Sequence, residues 1–120
     1  MHTEEMRIKL IESTIHTISK VGVDRATTKL LAGNAGLNEV YIYRIFGGKD
    51  GLFKETFTYI DKQFAKHLLK CFKDISKTQN SMRNYFRKIF SQIWEFALND
   101  KEKCSFFIRY YYSRYYTKQC

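Results

Sequence analysis

Val40, Tyr43 and Arg44 fall within five residues of one another in the stretch NAGLNEVYIYRIFGGKDGLF, residues 34–53. At about 100° per residue around a helix these three share one side, whereas Ile42, Ile45 and Phe46 share the other and Glu39 and Tyr41 flank them. The second side has the composition of a stripe that faces a core. The first offers a branched aliphatic group, a phenol and a guanidinium, which can meet a thymine methyl, a phosphate oxygen and a guanine edge. Glu39 can accept from a cytosine amino group. So short a helix needs little exposed aromatic surface for stability, and Tyr41 and Tyr43 are therefore expected to face water for another purpose. The major groove of duplex DNA, ~12 Å wide, admits one helix, and this one is about 12 Å long at ~1.5 Å per residue.

Neighbouring elements must hold such a surface. Glu4 and Glu5 suit a first helical turn, and Ile8, Ile11, Ile15 and Ile18 continue at helical spacing until Gly22 offers a stop. Thr27 is a good N-cap for a second helix of about two turns, in which Leu31 and Ala35 face one way and which Gly36 closes in a left-handed conformation. Asn38 can cap the third helix, expected through Ile45 or Phe46 and ended by Gly47 and Gly48. Two short helices joined by a glycine turn make a helix-turn-helix, whose second member enters the groove.

Phe53, Phe57, Ile60, Phe64, Leu68, Phe72 and Ile75 then keep a helical period without a breaker, which predicts a helix over 50–75. The segment SKTQNS, residues 76–81, reads as a loop. A fifth helix is expected from about Ser81 to Leu98, with Phe86, Ile89, Phe90, Ile93 and Ala97 inward. Asp100 caps a last aromatic segment, CSFFIRYYYSRYY. The expected class is all-α, with a three-helix domain over 1–48, a connecting helix over 49–75 and the beginning of a second helical domain over 76–120.

The stretch TTKLLAGNAGLNEVYIYRIFGGKDGLF resembles the DNA-binding region of the TetR family of transcriptional regulators. The likeness rests on Thr27, Ala32, Ala35, Gly36, Tyr43, Phe46, Lys49 and Leu52 taken together, and it spans roughly residues 5–55. It implies that Thr28, Lys29, Glu39, Val40, Tyr41, Tyr43 and Arg44 touch DNA and that Lys49, opening the fourth helix, meets a backbone phosphate. A helix N-terminus suits that contact, because its unpaired N–H groups attract anions. Two positions depart from the family pattern. Leu30 stands where many relatives have an acidic residue, which removes a reciprocal capping box. Tyr41 stands where many have a small or hydroxyl residue, which alters the expected base contacts.

The resemblance further implies a ligand-responsive repressor that binds a pseudo-palindromic operator as a homodimer, with a carboxyl-terminal domain that dimerises and takes a small-molecule effector. One recognition helix supplies a few contacts of about 1–3 kcal/mol each against a typical need of about 4–10 kcal/mol, so pairing two copies is physically reasonable. The fourth helix would be the lever between the two functions. Trp94, Phe90, Phe96 and the aromatic tail are candidates for a pocket or, on the plainer reading, core. The family's remaining helices would follow, so the chain is expected to be a truncated form, and no ligand-binding residue is assigned.

The formal charge of +9 is compatible with an anionic partner. Residues 1–50 carry seven Lys or Arg against six Asp or Glu, whereas residues 51–120 carry fourteen against six, so the excess lies mainly outside the helix-turn-helix. Lysines on solvated faces explain such an excess equally well. An alternative function is a basic helical module whose residues 62–77 meet an anionic membrane or an acidic partner.

No phosphate-binding glycine loop, metal-ligand spacing or nucleophile–base pattern points to an enzyme, and no cofactor is expected. Cys71, Cys104 and Cys120 lack the spacing of a zinc site or a disulfide framework and read as reduced thiols. His2, His16 and His67 are scattered and read as surface or satisfied side chains. With acidic residues at the amino end and no apolar run approaching the roughly 18 residues of a membrane span, the expected location is the cytoplasm.

Overall fold

The computed structural model describes residues 2–76, 82–113 and 115. Among them are six helices: α1 His2–Val21, α2 Thr28–Asn34, α3 Val40–Phe46, α4 Lys49–Ser76, α5 Met82–Asn99 and α6 Lys101–Tyr111. The loop expected over 76–81 lies, apart from Ser76, outside the described residues. None of these helices is long and apolar enough to cross a membrane.

Local signals end the helices largely where the sequence placed them. Thr27 Oγ1 accepts from Leu30 N at 3.1 Å, Gly36 takes φ 71°, and Gly47 takes φ 80° at the end of α3. Asp100 Oδ1 accepts from Lys103 N at 3.2 Å and opens α6. The start of α3 differs from expectation. Asn38 Oδ1 accepts from Val40 N, two residues on, at 3.0 Å, which is a side-chain turn preceding the helix, and Glu39 occupies the cap position without a side-chain bond to the helix's own N–H groups.

Leu10, Ile11 and Ile18 of α1 meet Leu31 of α2, Ile42 of α3 and Leu52 and Phe53 of α4 in one cluster of fully buried side chains. Phe106 and Tyr110 of α6 belong to the same cluster, stacked on each other at 5.7 Å between ring centroids. Buried polar groups are answered within it. Ser13 Oγ donates to the Leu31 carbonyl at 2.7 Å, which ties α1 to α2, and Thr14 and Thr56 donate to carbonyls one turn back on their own helices. Asn34 Nδ2 donates to Thr17 Oγ1 at 2.9 Å, and Arg7 pairs with Glu55 across α1 and α4.

The fifth helix corrects part of its expected facing. Phe86 and Phe90, expected inward, are 61% and 69% exposed, whereas Ile89 and Ala97 are half-buried and Ile93 and Ala97 line a cavity shared with α4 and α6. Its contact with α4 is made instead by Tyr85, stacked near Phe72, and by Phe96, 5.0 Å from Phe64. The apolar residues of the helix spread over one wide arc, so its period alone could not say which edge of that arc meets α4.

Candidate nucleic-acid interface

Ile42, fully buried, sets the orientation of α3, because seating one side of a two-turn helix in the core turns the opposite side outward. On that outer side Val40 is 44% and Tyr43 55% exposed, and Arg44 is exposed as well. Lys29, the second residue of α2, is also exposed, and Thr28 beside it is half-buried. Thr28 Oγ1 donates to Glu39 Oε2 at 3.0 Å. This bond joins the first turn of α2 to the start of α3 and fixes the Glu39 carboxylate. Sequence reasoning had both residues as separate contacts and missed the bond, which only the packing of the two helices brings about.

Tyr41 departs from the expectation that it faces water. It is half-buried and packs against the hydrophobic cluster, and the Arg44 guanidinium carbon lies over its ring at 5.7 Å from the centroid. A phenol at the helix flank reaches apolar neighbours that a smaller residue would leave uncovered. Its ring thereby becomes a platform for Arg44, three residues on and so on the adjoining side of the helix.

Thr27, Thr28, Tyr43, Gly47, Gly48 and Lys49 surround one open depression between the starts of α2 and α4 and the end of α3. Thr28, Tyr43 and Lys49, separated by up to 21 positions in the chain, are thus neighbours in space. Val40, Arg44, Lys29 and Glu39 stand outside that depression on the surfaces of α2 and α3. With φ 80° and 140°, Gly47 and Gly48 let the chain turn from α3 into α4 within two residues, which brings Lys49 to the site.

Residues 10–56 match the family described as bacterial regulatory proteins, tetR family. Over these residues the chain is similar to TetR-family regulators. Among its curated TetR-family relatives, the HTH-type transcriptional regulator BetI of Vibrio vulnificus is 31% identical over 77 residues, 64% of this chain and 39% of that protein. BetI 2 of Chromohalobacter salexigens is 41% identical over 54 residues, 45% of this chain and 26% of that protein. The chain therefore spans well under half the length of the curated relatives it matches. A TetR family transcription regulator from Marinobacter aquaeolei has the same fold, with a TM-score of 0.81 at 20% identity over 96% of this chain and 59% of that one.

Away from the helix-turn-helix, the chain holds a cavity of about 220 Å³ among α4, α5 and α6. Ile60, Phe64, Ile93, Phe96, Cys104 and Phe107 line it. Phe96 was a pocket candidate in the sequence, but Trp94 and Phe90 are exposed on another side of α5. Burial and the nearby Asp100 carboxylate push the Cys104 thiol above its usual pKa, so the protonated form persists further into alkaline solution. Among the described residues no three His, Cys, Asp or Glu side chains cluster as a metal site would require.

Proposed function

We propose that this chain binds duplex DNA sequence-specifically, with α3 in the major groove, as the reading head of a ligand-responsive repressor that occupies a pseudo-palindromic operator as a homodimer. The observation that carries this reading is the outward side of α3, where Val40, Tyr43 and Arg44 are exposed directly opposite the fully buried Ile42. Arg44 reads a guanine edge or a phosphate, Val40 meets a thymine methyl, and Glu39, anchored by Thr28, accepts from a cytosine amino group. Thr28, Lys29, Tyr43 and Lys49 contact the backbone on either side of the groove. Tyr41 acts through Arg44 as well as by reaching a phosphate, since its ring supports the guanidinium. The protein works in the cytoplasm, where the operator is.

The effector site in this reading is the cavity among α4, α5 and α6. Its lining is aliphatic and aromatic, so it favours an apolar small molecule over a charged one. Residues 1–48 are the reading domain, α4 is the connector, and α5 and α6 begin the effector domain. The exposed Lys62, Lys66 and Lys70, four residues apart along α4, favour a second reading as a basic module for an anionic membrane.

Selection from a random duplex pool separates the two. The intact chain is expected to enrich a half-site or palindrome, and the Tyr43→Ala, Arg44→Ala double variant to enrich none. Retention of both proteins by anionic vesicles, with no enriched sequence for either, would instead establish the basic module.

A further inference from the structure

Lys49, the first residue of α4, lies against a pair of aromatic rings. Its ammonium nitrogen is 5.5 Å from the centroid of Phe53, one turn further along the same helix, and 5.5 Å from the centroid of Tyr115. The rings are set edge to face, 5.0 Å apart at 83°, and both are buried. Among the described residues no carboxylate stands within ion-pairing distance of Lys49. The same side chain borders the depression shared with Thr28 and Tyr43.

Ring faces attract a cation through their quadrupole while leaving its N–H groups able to donate elsewhere. A carboxylate would instead neutralise the charge that a phosphate seeks. A free lysine must also surrender considerable rotamer freedom when it binds, and one already held against two rings surrenders less. We propose that Tyr115 is a positioning residue that holds the Lys49 ammonium ready for a DNA backbone phosphate. This assignment rests on the duplex-binding reading above. It joins a residue beyond the end of α6 to the DNA-facing surface 66 positions earlier in the sequence.

The test uses the full chain with a duplex from the selection and compares Tyr115→Leu, Tyr115→Phe, Lys49→Met and the Tyr115→Leu, Lys49→Met double variant. Tyr115→Leu is expected to weaken binding about three- to tenfold, Tyr115→Phe to bind as the parent does, and the double variant to bind no more weakly than Lys49→Met alone. Lys49→Met lowers the log–log salt slope by about 0.9, whereas Tyr115→Leu leaves the slope in place. Equal losses from Tyr115→Leu with and without Lys49 would overturn the assignment. So would a Tyr115→Phe protein as impaired as Tyr115→Leu.

A second measurement needs no DNA and no altered tyrosine. In the parent protein carrying ¹³C-dimethylated lysines, the Lys49 methyl signal, assigned by its loss in Lys49→Arg, is expected upfield of the other lysines because of the ring currents. A signal at the ordinary position sinks the assignment even if Tyr115→Leu fails to fold. An upfield signal from a chain that binds no duplex overturns the DNA reading, and the assigned role with it.

Discussion

Arg44 is the residue on which base recognition depends most in this reading. Its guanidinium is planar, lies over Tyr41, and can form two parallel bonds to a guanine edge. Lysine keeps the charge but has neither the fork nor the stacking plane. Arg44→Lys is therefore expected to weaken binding to the selected duplex by about tenfold, in line with the ~1–3 kcal/mol of a bidentate contact, and to affect random duplex much less. Fluorescence anisotropy with both duplexes reads the difference. Equal loss on the two would mean that Arg44 meets only phosphate. Tyr41 illustrates where a helical wheel stops being informative. Its flanking position was legible, but its half-burial depended on how far the phenol reaches toward neighbours from other helices.

The helices divide into those whose facing the sequence announces and one whose facing it does not. In α1 and α3 a single apolar side alternates with polar groups, and Ile11, Ile15, Ile18 and Ile42 are all buried as the pattern requires. In α5 the apolar residues extend over one wide arc, and rings from α4 choose which edge of it they meet. Phe96 packs against Phe64 and lines the cavity, whereas Phe90 is 69% exposed. Phe96→Ala is accordingly expected to cost about 1–3 kcal/mol, less than the fully buried case, and Phe90→Ala to stay within about 0.5 kcal/mol. Urea denaturation of the two variants measures this. Equal destabilisation by both would show that the exposed side of α5 is packed in solution.

At the scale of the whole molecule, α6 lies along α1 and adds Phe106 and Tyr110 to the core of the helix-turn-helix. A bond between His16 Nδ1 and Glu102 Oε2, 2.8 Å long, crosses the same contact at the surface. The wall of the cavity and the core of the helix-turn-helix thus share one helix, with Cys104 and Phe107 lining the first, Phe106 and Tyr110 within the second, and Phe107 packed against both. An effector that displaces α6 would disturb both. Stability should follow the same division. Backbone amides of α1 and α6 are expected to exchange with solvent together and slowly, and those of α5, which buries no side chain, substantially faster. Hydrogen exchange read by mass spectrometry decides this, and uniform protection across the three helices would contradict it.

By itself the sequence determined the helices, the caps of α2 and α6, the glycine stops, the inward side of α1 and α3, and the composition of the outward side of α3. These follow from interactions within about one turn of chain, such as Thr27 with Leu30 or Asp100 with Lys103, and from a period that 3.6 residues per turn imposes. Only the tertiary structure decided that α6 shares the core of α1, that Phe90 and Phe86 face outward, that Thr28 holds Glu39, and that Lys49 lies beside Tyr115. Each of those depends on partners contributed by another element of the fold, and no helical period records which of several apolar surfaces will reach its partner first or fit it best.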